Sequence, residues 1–259
     1  MREIAALRAE LARLDLGGFI VPIADPHHTE WIMPSASRLE CLTGFTGSAG
    51  TAVVLLDQIL FFTDGRYTAA AESQIRVQPL HVFNVRDRPF EATLAELLPS
   101  GFRLGYDPWL HTIADVERLQ ADAAGGRYRL ISTTPNPVDA YCTLPEPTVV
   151  PATCHPLQFA GVSSVEKRRA VARTILATTS ERLLLSTPES ICWLFNMRGG
   201  DATDTPLVYA FALLQADASA DLFMDLRKVT ADLRGGLGID VRIHPYESLT
   251  GALAVSGDG

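Results

Sequence analysis

Apolar residues recur at helical spacing at Ile4, Leu7, Leu11 and Leu14, and Gly17-Gly18 breaks the pattern before the short apolar run 19–21. A helix followed by a strand is predicted. Residues 51–56 and 59–63 are apolar, β-branched and aromatic runs separated only by Asp57-Gln58, which is the pattern of an antiparallel hairpin. Asp64-Gly65 then turns the chain into an Ala-rich helix over 67–73. Beyond it the pattern alternates: strand 77–85, helix 90–98, strand 103–106, helix 112–124, strand 128–131. Helices alternating with strands around one hairpin predict an α/β sheet with mixed parallel and antiparallel pairing.

Six prolines fall between Pro135 and Pro156 with little apolar periodicity, so residues 135–156 are expected to link a domain at 1–134 to a second at 157–259. In the second, Ser163 and Glu166 form a capping-box pattern opening a helix that runs to about 178, and a strand follows at 182–185. Thr187-Pro188-Glu189 supplies an N-cap, a first-turn proline and a first-turn acid for a helix ending near Asn196. Strands are predicted over 206–214, 221–224 and 238–244, and a helix from 246 to 254. The two halves repeat one order at an offset of about 160 residues: strand, a Trp-containing segment, glycine, two strands, then Asp64 in one and Asp225 in the other. A duplicated domain is expected, with two unrelated α/β domains as the alternative.

The run Gly44-Phe45-Thr46-Gly47-Ser48-Ala49-Gly50-Thr51 spaces three glycines by two residues. Phosphate cradles, tight turns and crowded packing corners all use such glycines. A P-loop needs Lys and then Ser or Thr after its last glycine, and a dinucleotide loop must open a helix. Here the run feeds a strand, so a structural turn is expected. Ser48 is no nucleophile elbow either, because Thr46 stands where that motif has glycine.

The 259 residues suffice for two domains, and 47% apolar with 20% charged residues is an ordinary globular balance. A net charge of −8 without a basic stripe argues against nucleic-acid binding. Apolar stretches such as 207–214 fall far short of a bilayer span, and the N-terminus reads as an amphipathic helix rather than a signal peptide. A cytoplasmic protein, not engaging membranes, is expected. Cys41, Cys142, Cys154 and Cys192 show no C-x-x-C spacing, so reduced and mostly buried thiols are expected.

Four stretches carry a family resemblance: Asp25-Pro26-His27-His28-Thr29-Glu30-Trp31, residues 42–51, Thr63-Asp64-Gly65-Arg66-Tyr67, and Trp193-Leu194-Phe195-Asn196-Met197-Arg198-Gly199-Gly200-Asp201. With them the chain resembles, over residues 2–248, the N-terminal half of the three-domain aminopeptidase P group. These are the Xaa-Pro aminopeptidases of the pita-bread metallopeptidase superfamily. The resemblance implies two tandem creatinase-like domains, the second C-terminally incomplete. It departs from the family pattern at Gly200, where Ser is common, and at Thr205, where Asn is usual.

The resemblance also implies an intact protein that removes an N-terminal residue preceding proline. Two metal ions, usually manganese, would be held by two Asp, one His and two Glu in a third domain. Nothing in this sequence follows those motifs, and no two of the six histidines lie at i and i+4 on a helix. No cofactor, no catalytic residue and no hydrolysis are therefore expected of this chain alone. It is expected to shape the substrate cleft and a homodimer interface, with its own C-terminal catalytic domain and a peptide substrate as partners. The alternative is a stand-alone binding or scaffold protein with a creatinase-like fold.

Candidate cleft or interface residues lie in the loop over 25–45, namely Asp25, His28, Glu30, Arg38 and Phe45, together with Arg198 and Asp201. Ordinary loop capping and solvation is the alternative for the charged ones. Trp31 is read as a packing anchor. Gly44, Gly47, Gly50, Asp64, Gly65 and Arg66 are read as structural. Asp64 is expected to accept backbone N–H groups while Arg66 pairs with a carboxylate, and the glycines after Arg198 are expected to form a left-handed helix cap.

Overall fold

The computed structural model describes residues 2–30, 32–123, 127–177 and 180–254. The chain divides into two compact units, Met1–Pro26 with Pro34–Glu146, and His27–Met33 with Pro147–Gly259.

The first unit opens with α1 (Arg2–Arg13), whose Ile4, Leu7 and Leu11 are buried as their spacing predicts. Strand β1 (Gly18–Pro22) follows. The segment 38–43, within the expected loop over 25–45, forms a short helix, α2 (Arg38–Thr43), closed by Gly44 at φ 75°. Six residues between prolines and glycine are too few for a readable period. The expected hairpin is β2 (Thr51–Leu55) with β3 (Ile59–Thr63). It is followed by α3 (Thr68–Gln74), β4 (Leu80–Asn84), α4 (Phe90–Leu97), β5 (Phe102–Tyr106), α5 (Ile113–Ala123) and β6 (Tyr128–Ser132).

The sheet order is β4-β3-β2-β1-β5-β6. Strand β1 pairs antiparallel with β2 and parallel with β5, so the mixed sheet is realised. Period-two alternation divides the central strands between two cores. Phe19, Val21, Ala52, Val54, Ile59 and Phe61 pack with α1 and α2, whereas Ile20, Val53, Leu55, Leu60 and Phe62 pack with Leu94 of α4 and Leu119 of α5. Burial on both faces explains why these runs are continuously apolar rather than alternating.

The second unit contains β7 (Thr153–Cys154), α6 (Leu157–Ala160), α7 (Ser164–Leu176), β8 (Arg182–Leu185), α8 (Pro188–Phe195) and β9 (Met197–Arg198). It continues with β10 (Ala210–Gln215), β11 (Ala220–Met224), α9 (Ala231–Leu237), β12 (Val241–Pro245) and α10 (Leu249–Ala254). The capping box forms reciprocally between Ser163 and Glu166. The main sheet runs β12-β11-β10-β8. A hairpin between an antiparallel neighbour and a parallel one gives the same order as β4-β3-β2-β1 in the first unit.

The strand predicted over 206–214 begins only at Ala210, because the preceding N–H groups are already engaged. That of Leu207 donates to Thr205 O, that of Val208 to Cys192 Sγ and that of Tyr209 to Asp201 Oδ2. Cysteine chemistry also differs from expectation. Cys41 and Cys142 are joined as a disulfide with Cα atoms 5.9 Å apart; their separation of 101 residues leaves no spacing signal. Cys192 meets the expectation of a buried thiol, raised to about 11 chiefly by desolvation, whereas Cys154 is exposed.

Candidate functional site

In the first unit the glycine-rich run closes around one aromatic ring. Phe45 is buried and meets Phe61 edge-on at 4.8 Å and Tyr67 at 6.0 Å between ring centroids. A Cβ on Gly47 would stand 2.4 Å from the Phe45 ring, and one on Gly50 2.8 Å from Phe61. Gly44 alone of the three supplies positive φ. The run is thus a helix cap followed by a packing corner. Around it, Thr46 N–H donates to Gln74 Oε1 and the Ser48 and Tyr67 hydroxyls lie 2.9 Å apart.

Asp64 accepts the Arg66 N–H at 2.9 Å and pairs with its guanidinium at 2.6 Å, so the carboxylate sought for Arg66 is two residues away. Asp225 and Arg227 repeat the same geometry at 2.9 Å and 2.6 Å after β11. Asp64, Gly65 and Arg66 line a shallow recess with Asn84, Val85 and Arg86. Arg38 makes a bidentate pair with Asp139, at 2.6 Å and 3.1 Å, and Asp25 is 1% exposed.

In the second unit His28 and Glu30 are exposed, His28 at φ 53°. Their neighbour His27, which the sequence did not single out, is the buried one. Its Nδ1 lies 2.8 Å from Ser186 O, which can only accept, so Nδ1 carries the proton and Nε2 accepts from the Tyr246 hydroxyl at 2.9 Å. The ring stacks on Phe211 at 4.4 Å and meets Tyr209 edge-on at 5.1 Å. Thr29 and Tyr209 hydroxyls are 3.2 Å apart. Only burial distinguishes His27 from His28, and adjacent identical residues carry no burial signal. Trp31 lies outside the described residues.

Arg198 donates to Met197 O at 2.7 Å. Asp201 is buried, accepts the Tyr209 N–H at 2.8 Å and faces buried Lys228 with Nζ 2.7 Å from Oδ1. Gly199 and Gly200 do not form the expected left-handed cap. Asn196 takes that role at φ 49°, and Gly199 is required instead by close approach, since a Cβ would lie 2.6 Å from Val208 and 3.0 Å from Leu207 O. Asp25, Arg38, Phe45 and the two glycine-containing motifs belong to the first unit, and His28, Glu30, Arg198 and Asp201 to the second.

The carboxylate of Asp221 meets His244 Nε2 at 2.7 Å, a pairing of metal-ligand residue types. Arg242 Nε and Nη2 occupy the same carboxylate, each at 2.7 Å. A guanidinium across both oxygens excludes a bridging role, and among the described residues no three His, Cys, Asp or Glu converge. These residues do not fit a dinuclear metal centre.

The Asp221 set is an ion cluster, with Arg242 foremost in pulling the Asp221 carboxyl down to about 2. A depressed carboxyl stabilises the fold above its unfolded value and loses that contribution as pH falls through the folded value. Asp221→Asn is expected to cost about 1–2 kcal/mol at pH 6, discounted for the exposed guanidinium. In urea titrations at successive pH values, the gap to wild type should begin to close below about pH 4. A gap constant down to pH 3 would show that ionisation of Asp221 does not matter.

Residues 3–139 and 143–257 each match a family described as the Creatinase/Prolidase N-terminal domain. The chain belongs to the creatinase/prolidase N-terminal domain family. It holds two tandem copies of that domain. Aminopeptidase P1 of Lotus japonicus is 30% identical over 98% of the chain and 40% of its own length. A probable Xaa-Pro aminopeptidase P of Paracoccidioides lutzii is 32% identical over 96% of the chain and 41% of its own length.

The chain therefore spans about two fifths of the length of these relatives and corresponds to the N-terminal portion of aminopeptidase P-like proteins. An X-prolyl aminopeptidase from Caenorhabditis elegans, described as a cytosolic enzyme with a di-nuclear active site, shares the fold. Its TM-score is 0.92 at 22% identity, over 98% of this chain and 43% of that one. Among the described residues of this creatinase/prolidase-family chain, no helix is long and apolar enough to cross a membrane.

Proposed function

We propose that this chain is the non-catalytic N-terminal region of a cytosolic Xaa-Pro aminopeptidase, shaping its substrate cleft and dimer interface. Coverage carries this reading: nearly all of the chain aligns, but only with about two fifths of each aminopeptidase P relative. In this reading residues 135–156 link the two domains, and the chain's partners are a C-terminal catalytic domain holding manganese, a second copy and the peptide.

In this reading His28, Glu30 and Arg198 meet a peptide terminus or the catalytic domain, a role that the exposure of the first two and the half-burial of the third support. Buried Asp201 acts from beneath in the second unit, holding the turn that carries Arg198, while buried Asp25 and Phe45 serve the first unit. The Asp64–Arg66 pair serves its own turn. Incubated with Mn²⁺ and an Xaa-Pro peptide, the chain alone is expected to release no N-terminal residue and to bind no stoichiometric metal by calorimetry. Turnover together with bound manganese would overturn the reading.

A further inference from the structure

Helix α2 bears the glycine-rich corner directly after its last residue, and the 3-10 helix Pro137–Ala140 lies at the start of the proline-rich segment, with Cys142 just beyond it. Two cross-links tie these elements in matching register. Arg38 grips Asp139 through both carboxylate oxygens, and Cys41 joins Cys142, three residues further along on each side. On α2 a spacing of three residues places Arg38 and Cys41 on one face. The Cα separation of 5.9 Å lies within the range a disulfide bridges without backbone movement.

Cys142 is 7% exposed, and Cys41 is half-buried at the edge of the same core. The bridge closes a chain loop that contains β2 through β6. We infer that Cys41 and Cys142 form a reversible redox cross-link that sets the stability of the first unit, while the Arg38–Asp139 pair keeps the two elements in register when the bridge is open. Oxidation state then acts on the segment that carries the glycine-rich corner. The inference is independent of the proposed function, since it requires neither a catalytic domain nor a substrate.

The oxidant class is a small-molecule disulfide such as glutathione disulfide. The more accessible Cys41 thiolate attacks one of its sulfurs, forms a mixed disulfide and expels one glutathione thiolate. The Cys142 thiolate attacks the Cys41 sulfur of that mixed disulfide and expels the second. The two cysteine thiols give up two electrons and two protons, which leave as two reduced glutathiones. Excess dithiol reverses both steps.

The 259-residue chain is to be equilibrated with glutathione disulfide or with dithiothreitol, acid-quenched, alkylated and mapped by mass spectrometry, with parallel calorimetric melts. The expected result is a cross-linked peptide pair containing Cys41 and Cys142 in the oxidised sample only, and a melting transition of the first unit roughly 10 °C higher when oxidised. Cys41→Ser and Cys142→Ser should each melt like the reduced wild type under both conditions, which separates the bridge from any effect at exposed Cys154. The inference is overturned if Cys41 and Cys142 are both alkylated after oxidation. It is equally overturned if the melts coincide, if the serine variants retain the difference, or if dithiothreitol fails to open the bridge in the folded chain.

Discussion

Asp201→Ala is expected to lower the stability of the second unit by about 3–5 kcal/mol, read as an earlier urea midpoint with the slope of the transition unchanged. Asp201 and Lys228 are 6% and 4% exposed. Removing the carboxylate strands an ammonium that cannot return to water without opening the fold. It also orphans the Tyr209 N–H, which donates to Asp201 Oδ2 at 2.8 Å. That donor directly precedes β10, so the loss falls on the entry to the sheet as well as on the ion pair.

Lys228→Met in the Asp201→Ala background should recover part of the loss, because the stranded charge goes while the unpaired N–H stays. Asp225→Ala is the control: the Asp225–Arg227 pair has an arginine 62% exposed, and its loss should cost less than about 1 kcal/mol. If Asp201→Ala cost no more than Asp225→Ala, the buried pair would not be what holds this turn.

The contrast between these two aspartates marks what the sequence discloses. The hairpin β2–β3 and the helix opened by Ser163 and Glu166 were legible because their determinants are local: two apolar runs across a two-residue turn, and a cap four positions long. Each family motif was legible as a pattern, yet the work done by its residues was not. Asp64-Gly65-Arg66 and Arg198-Gly199-Gly200-Asp201 look alike as charged, glycine-containing turns. One is a surface pair closed on itself, and the other is fastened by a lysine 27 positions later in the chain, a partner that sequence spacing does not identify.

The same reason hides His27, whose partners Ser186, Phe211 and Tyr246 all come from beyond residue 180. It also hides the pairing of Cys41 with Cys142, which needs a helix at 38–43 that is too short to show a period. Short-range patterns specify elements; long-range contacts decide which candidate residues are buried. That is why Asp25, Phe45 and Asp201 lie beneath the surface while His28 and Glu30, chosen on the same grounds, are exposed.

Phe45→Ala is expected to destabilise the first unit by about 3–5 kcal/mol, since a buried ring is lost from between Phe61 and Tyr67. Gly47→Ala alone should cost about 1–3 kcal/mol by overpacking, because its methyl would stand 2.4 Å from the Phe45 ring and 2.8 Å from Tyr67. The two are not independent. With Phe45 truncated, the Gly47 methyl enters the space the ring has left, so the double variant should be more stable than the sum of the single losses by at least about 1 kcal/mol.

Gly44→Ala behaves differently: its cost comes from φ 75°, and it should add fully to Phe45→Ala. Additivity at Gly47 would mean that this glycine too serves its own backbone. Coupling at Gly47 with additivity at Gly44 would divide the run into a helix cap and a ring-packing corner.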